Sequence, residues 1–159
     1  IANQTRTSTT TYNTTVTGDK FDYYEEGTMD PTAVSAGLTF ETSNNKQLRY
    51  VRIGHWVSVS GYLDVSSYTS NSNVIQIAMP FTSAANSDGY YTRGVGALMY
   101  RYVNLSTNYD QLIAYVGGGE NYMRFFQSRS SSGDWLHLVN SNLAGNSAAF
   151  YFSVNYMVA

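Results

Sequence analysis

Carboxylates are the first residues with chemistry to offer. Glu25 and Glu26 stand side by side in Tyr23-Tyr24-Glu25-Glu26-Gly27-Thr28, with Asp19 and Asp22 just upstream. Two carboxylates across a cleft, about 5 Å or about 6.5–9.5 Å apart, are what glycoside hydrolysis requires. Neighbouring residues on a strand point to opposite faces, which works against these two forming the pair. A distant partner would have to come from Asp64, Asp110 or Asp134. The same acids lack the Asp-x-Asp-x-Asp-Gly spacing of a calcium loop. A solvated or interface charge cluster is the plainer reading.

Other catalytic and metal chemistry is poorly supplied. There is no cysteine, which removes disulfides, thiolate nucleophiles and thiolate metal sites together. The two histidines, His55 and His137, lie far apart in apolar strand settings, and a zinc site wants three or four ligands. Serine is abundant, but no Gly-x-Ser-x-Gly elbow marks one as a nucleophile. Gly117-Gly118-Gly119 lacks the Gly-Lys-Ser/Thr ending of a phosphate loop and reads as a hairpin turn. Asn-x-Ser/Thr triplets begin at Asn3, Asn13 and Asn104, as chance allows in a chain rich in Thr and Asn. The expectation is a protein with no catalytic residues, no bound metal and no cofactor.

Aromatic residues in turn segments are the better lead. Tyr68, Tyr90, Tyr91, Tyr109 and Trp135, the last beside Asp134, fall in or next to predicted loops. Tyr and Trp present a large, rigid, amphipathic surface with a hydrogen-bonding tip, as binding surfaces do, and sugars stack on such rings. Together with Asp134 they form the candidate ligand-binding set. For any single tyrosine among the fifteen in the chain, a place in the core or in a subunit interface is the competing reading.

The elements that must hold these residues are strands. Over Tyr50–Val65 the clearest signal begins at Val57: Val57, Val59, Leu63 and Val65, with Gly61 in register, alternate with Ser58, Ser60, Tyr62 and Asp64. A period of two marks a half-buried strand. A polar loop, 66–73, precedes Val74–Met79, which Pro80 ends by withdrawing a backbone donor. Strands follow at 95–103, 112–116, 122–126 and 135–139, with Gly117–Asn121 as a hairpin and a turn at 130–134. The chain closes on a second alternation, Phe150, Phe152, Val154, Tyr156 and Val158. About seven or eight short strands with no helical period between them predict an all-β antiparallel sandwich of jelly-roll-like type, with a closed barrel as the alternative.

Composition agrees with this and narrows the partners. Among 159 residues only 13% are charged and 15% are aromatic, and the net charge is −2. Lys and Arg are scattered along the chain, with none of the basic stripe of a nucleic-acid binder. No apolar run approaches the length of a membrane span. Residues 1–20 are dominated by Thr, Asn and Ser without apolar periodicity, and are expected to be an extended arm or linker, with an edge strand as the alternative, ahead of one domain over 21–159. Opening on Ile1 without a signal-like segment, the chain reads as a fragment or processed product.

Three segments in order carry a family resemblance: Phe21-Asp22-Tyr23-Tyr24-Glu25-Glu26-Gly27-Thr28-Met29-Asp30-Pro31-Thr32, then Arg49-Tyr50-Val51-Arg52-Ile53-Gly54 with its strand, then Met79-Pro80-Phe81-Thr82-Ser83-Ala84. With a hydrophobic last strand, this order resembles a domain at the C-termini of many tailed-bacteriophage structural proteins: tail fibres, spikes, and head-decorating or whisker-like proteins. Met29 and Asp30 depart from the usual aromatic and Thr, and His55-Trp56 replace a commoner Asn-plus-aliphatic pair. The resemblance implies an all-β domain on the virion exterior, commonly a homotrimer contacting other virion proteins, and it brings no fixed functional residues. The function expected from it is non-enzymatic adhesion to a host-surface glycan or protein. A capsid-decorating protein without a host receptor is the alternative, and a polysaccharide depolymerase a weaker third.

Overall fold

The alternation that begins at Val57 becomes a long strand, with Val57, Val59, Leu63 and Val65 fully buried. It does not extend back to Tyr50. Leu48–Ile53 forms β3, the chain reverses at Gly54-His55, and β4 (Trp56–Tyr68) runs back antiparallel with Ile53 opposite Trp56 and Leu48 opposite Gly61. The tight reversal needs a left-handed residue at its first position, and Gly54 takes it at φ 58°. At its far end β4 runs on to Tyr68, into the segment expected to be loop. There Thr39 faces two serines at once, its hydroxyl 2.8 Å from Ser66 Oγ and 2.7 Å from Ser67 Oγ, at a bulge that turns the strand.

The computed structural model describes residues 24–43, 46–85, 93–129 and 132–159. The expected arm over 1–20 lies outside the described residues. The remaining strands are β1 (Tyr24–Met29), β2 (Leu38–Phe40), β5 (Gln76–Ala78), β6 (Gly94–Arg101), β7 (Gln111–Val116), β8 (Tyr122–Arg129), β9 (Ser132–His137) and β10 (Ala149–Met157). Among the described residues a short 3-10 turn spans Asn140–Asn142.

All pairings between these strands are antiparallel, in the order β1-β3-β4-β10-β6-β7-β8-β5, with β2 joined to β4 and β9 to β8. The last strand returns to lie beside β6, so β10-β6-β7-β8 has the Greek-key order that jelly rolls share. The sheet folds over its own inner face. Phe125 of β8 stacks on Phe150 of β10, with ring centroids 4.6 Å apart, although two strands separate them in the order. The segment after β1 covers the free edge of β5 through Ala78 N–H to Thr32 O and Val34 N–H to Gln76 O, both 2.9 Å. The fold is the all-β antiparallel sandwich that the sequence predicts.

The three segments of the family resemblance meet at one place. Tyr50 donates from its hydroxyl to Glu25 Oε1 at 2.8 Å, and its ring meets Phe81 edge-on at 5.2 Å. The Arg52 guanidinium lies over Phe81 at 5.1 Å, and Tyr156 donates to the Phe81 carbonyl at 3.0 Å. The motif residues are therefore a structural junction between β1, β3, β10 and the chain after β5.

Two glycines are fixed by packing. A Cβ on Gly61 would stand 2.5 Å from Leu48 Cδ2, whereas one on Gly96 would stand 2.1 Å from the Ser153 carbonyl oxygen. The Leu48 methyl can move and the β10 backbone cannot. Gly61→Ala should therefore cost about 1–3 kcal/mol, as overpacking does, and Gly96→Ala more. Urea denaturation midpoints in that order test the packing; a Gly96→Ala midpoint at or above that of Gly61→Ala contradicts it.

Candidate functional site

The outer side of β7, β8 and β9 carries the densest group of aromatic and cationic side chains among the described residues. Strand parity puts it there. Met123, Phe125 and Gln127 of β8 turn inward and are buried, which leaves Tyr122, Arg124, Phe126 and Ser128 on the outside. On β7 the same parity buries Leu112, Ala114 and Val116 and turns Ile113 and Tyr115 outward. Phe126 is the centre. Its ring lies 5.3 Å from Tyr115, 6.1 Å from Trp135 and 4.4 Å from His137. The Arg124 guanidinium sits over Tyr115, Tyr122 and Phe126 at 5.7, 5.3 and 5.9 Å. Trp135 is 68% exposed, a large ring held on a strand with one side in water.

The Gly117–Asn121 turn, predicted as a hairpin, fixes this group. Gly119 takes the left-handed conformation at φ 77°. Glu120 accepts from the Gly117 N–H at 3.0 Å and the Tyr122 hydroxyl at 3.2 Å, and forms an ion pair with Arg124. Ser83 braces the turn from behind: its Oγ donates to the Gly117 carbonyl and accepts the Glu120 N–H at 3.1 Å. Beneath the other end, buried Gln127 accepts from the Ser106 N–H at 2.6 Å and donates to the His137 carbonyl at 3.2 Å. That ties down the loop bearing Tyr109, over whose ring the Arg129 guanidinium lies at 5.3 Å.

Electrically the group is nearly balanced, because Glu120 neutralises Arg124. Arg124 Nε, Arg129 Nε and His137 Nδ1 are shielded from water without a hydrogen-bond partner, a costly arrangement for polar atoms. An exposed aromatic plane beside hydrogen-bonding groups and little net charge suits a neutral polar ligand. Glu25 points to Tyr50 on the inner side, while Glu26, outside, accepts from Tyr24 at 2.7 Å. The adjacent acids therefore face opposite ways. Asp64 is paired with Lys46 at 2.9 Å. Among the described residues no three of His, Asp and Glu converge.

Of the residues proposed from sequence, Tyr109, Asp134 and Trp135 gather at one end of β7-β8-β9, Asp134 and Trp135 as neighbours on β9 itself. Tyr68 does not join them. It ends β4, packs against the core and donates to the Leu143 carbonyl at 3.1 Å. Tyr90 and Tyr91 lie outside the described residues. Sequence reasoning passed over Tyr115, Tyr122, Arg124 and Phe126, although the alternation Tyr122-Met123-Arg124-Phe125-Phe126 already separates an outer from an inner set.

His137 gives this face a pH signature. Burial pushes its pKa below the ordinary 6.5, the Arg124 charge pushes the same way, and Glu120 opposes. The unfolded chain then binds a proton near pH 6.5 that the folded chain accepts only at lower pH. Stability attributable to His137 is thus constant above that value and lost as pH falls below it. The thermal midpoint should drop between about pH 7.5 and about pH 5.5, and His137→Gln should remove part of the drop. An identical drop in both proteins would exclude His137 as its source.

No protein-family model and no curated protein matches the chain. Among solved structures, the crystal structure of the Dettilon tailspike protein (gp208) is similar, with a TM-score of 0.64 at 15% sequence identity. The similarity covers 84% of this chain and 24% of that one. At that identity the likeness is one of fold.

Proposed function

We propose that the chain is a non-enzymatic adhesion domain of a bacteriophage virion appendage. It sits on the exterior of the particle, assembles as a homotrimer alongside other virion proteins, and holds a host-surface glycan on the Trp135–Phe126–Tyr115 face. The fold likeness to a tailspike and the ordered motifs around Glu25, Tyr50 and Phe81 support the appendage. The observation that carries adhesion is Trp135, a ring 68% exposed yet held on a paired strand against Phe126. Such a plane stacks on the apolar face of a sugar ring. Glu25 and Glu26, on opposite sides of β1, do not form the facing acid pair that a depolymerase needs.

Calorimetric titration with purified capsular and O-antigen polysaccharides tests this reading. One of them should bind saturably, and Trp135→Ala should weaken binding roughly tenfold or more, about 1.4 kcal/mol, at unchanged thermal midpoint. Undiminished binding by Trp135→Ala would refute the assigned face, and attachment only to purified capsids would replace adhesion with decoration. Reducing-end release that disappears in Glu25→Gln or Asp134→Asn would make the protein a depolymerase instead.

A further inference from the structure

We infer that the outer side of β1-β3-β4-β10-β6 is where a second copy of this chain docks. The inference rests on the self-association in the reading above and is independent of carbohydrate binding. Register lays this face out in rows. Tyr24, Ile53, Trp56 and Met157 stand opposite one another across β1, β3, β4 and β10. Tyr62, Tyr151 and Met99 form a second row, with the Tyr62 and Tyr151 rings stacked at 4.2 Å. Between them lie Ser58 with Asn155, and Ser60 with Ser153 and Ala97, none of them charged.

Large apolar groups are held out to water here. Val95 and Met99 are each 63% exposed, and Trp56 48%. Trp56 is paired on both sides, to Ile53 of β3 and Met157 of β10, whereas Met99 is paired to Tyr151 of β10 and Val95 to Tyr115 of β7. Beside Met99 and Tyr151 a shallow depression, floored by Leu98 and Phe152 and flanked by Ala97 and Ser153, can receive an apolar anchor. An exposed apolar patch rimmed by polar residues is the form an association surface takes.

Size and charge favour a copy of the same chain as the occupant. Five strands spaced about 4.8 Å, with β10 about 30 Å long, offer roughly 700 Å² per chain, close to the roughly 800 Å² per partner of a stable interface. The charges on the face are of both signs: Glu26 on β1 and Asp64 on β4, the latter paired with Lys46, and Arg49 on β3 and Arg101 on β6, whose guanidinium donates to the Tyr62 hydroxyl. A copy therefore brings its own complement, while β4 and β10 offer hydroxyl and amide groups at Ser58, Ser60, Ser153 and Asn155.

Light scattering on size-fractionated protein tests the inference with Met99→Glu and, as the second variant, Val95→Arg, each checked for an unchanged circular dichroism spectrum. Wild-type protein should run as an oligomer, and either variant should fall to single-chain mass or dissociate at least tenfold more readily on dilution. An oligomer that both folded variants leave intact overturns the assigned face while self-association stands. A single-chain mass for wild type up to about 100 µM overturns both. Polysaccharide binding that Met99→Glu abolishes would give the face to a ligand, and so also overturns the inference.

Discussion

Everything else in this molecule depends on the burial of β10's inward row. Phe150, Phe152, Val154 and Tyr156 are buried; all four stand opposite β4, the first three also opposite β6, and Phe150 stacks on Phe125 of β8. Because the sheet closes on its own inner face, one strand supplies lateral hydrogen bonds and the far wall of the core at once. That arrangement leaves little room for error. Gly61 yields its place to Leu48, and Gly96 lets β6 approach the Ser153 carbonyl. Interiors packed this closely transmit a misplaced methyl as strain rather than absorbing it.

The segment after β5 links that core to the outer face. Phe81 takes the Tyr50 edge, the Arg52 guanidinium and the Tyr156 hydroxyl. Two residues on, Ser83 bonds both ends of the Gly117–Glu120 turn, and Ala84 N–H reaches the Met157 carbonyl at 2.8 Å. A short strap thus sets the relative position of β3, the end of β10 and the β7–β8 turn. The side chain that orders Arg124 is Glu120, so the cationic element of the candidate site is positioned by the same strap that completes the core.

Much of this was legible in the sequence, for a physical reason. Strands with one wet and one dry face write a period of two, which is why Val57–Val65 and Phe150–Val158 were recognised. Gly117–Asn121 was recognised because turn chemistry is local. The hairpin at Gly54-His55 was not, because apolar residues continue on both sides of it, Val51 and Ile53 before and Trp56 and Val57 after, and only one glycine interrupts them. Tyr68 was misplaced in a loop because the bulge opposite Thr39 breaks the alternation that would have carried β4 onward. The outer aromatic set escaped for a different reason. Tyr115, Arg124 and Phe126 stand nine to twenty residues from Trp135 in sequence, and only the β7-β8-β9 register brings them together.

The ordered motifs and the candidate site turn out to be different parts of the molecule. Glu25, Gly27, Tyr50, Arg52 and Phe81 serve the junction, where a Cβ on Gly27 would stand 2.7 Å from the Tyr50 hydroxyl. Residues that serve a junction identify the scaffold and say nothing of what the scaffold holds. The aromatic plane at Trp135 and Phe126 is carried by strands, not by the loops from which recognition was expected. That matters energetically. Ordering a loop side chain on binding costs about 0.5–1.5 kcal/mol for each rotamer-rich group, whereas rings already pinned by strand pairing and by each other lose less. Under the proposed adhesion role such a face would bind through shape held in advance, and a ligand would have to fit the plane as it stands.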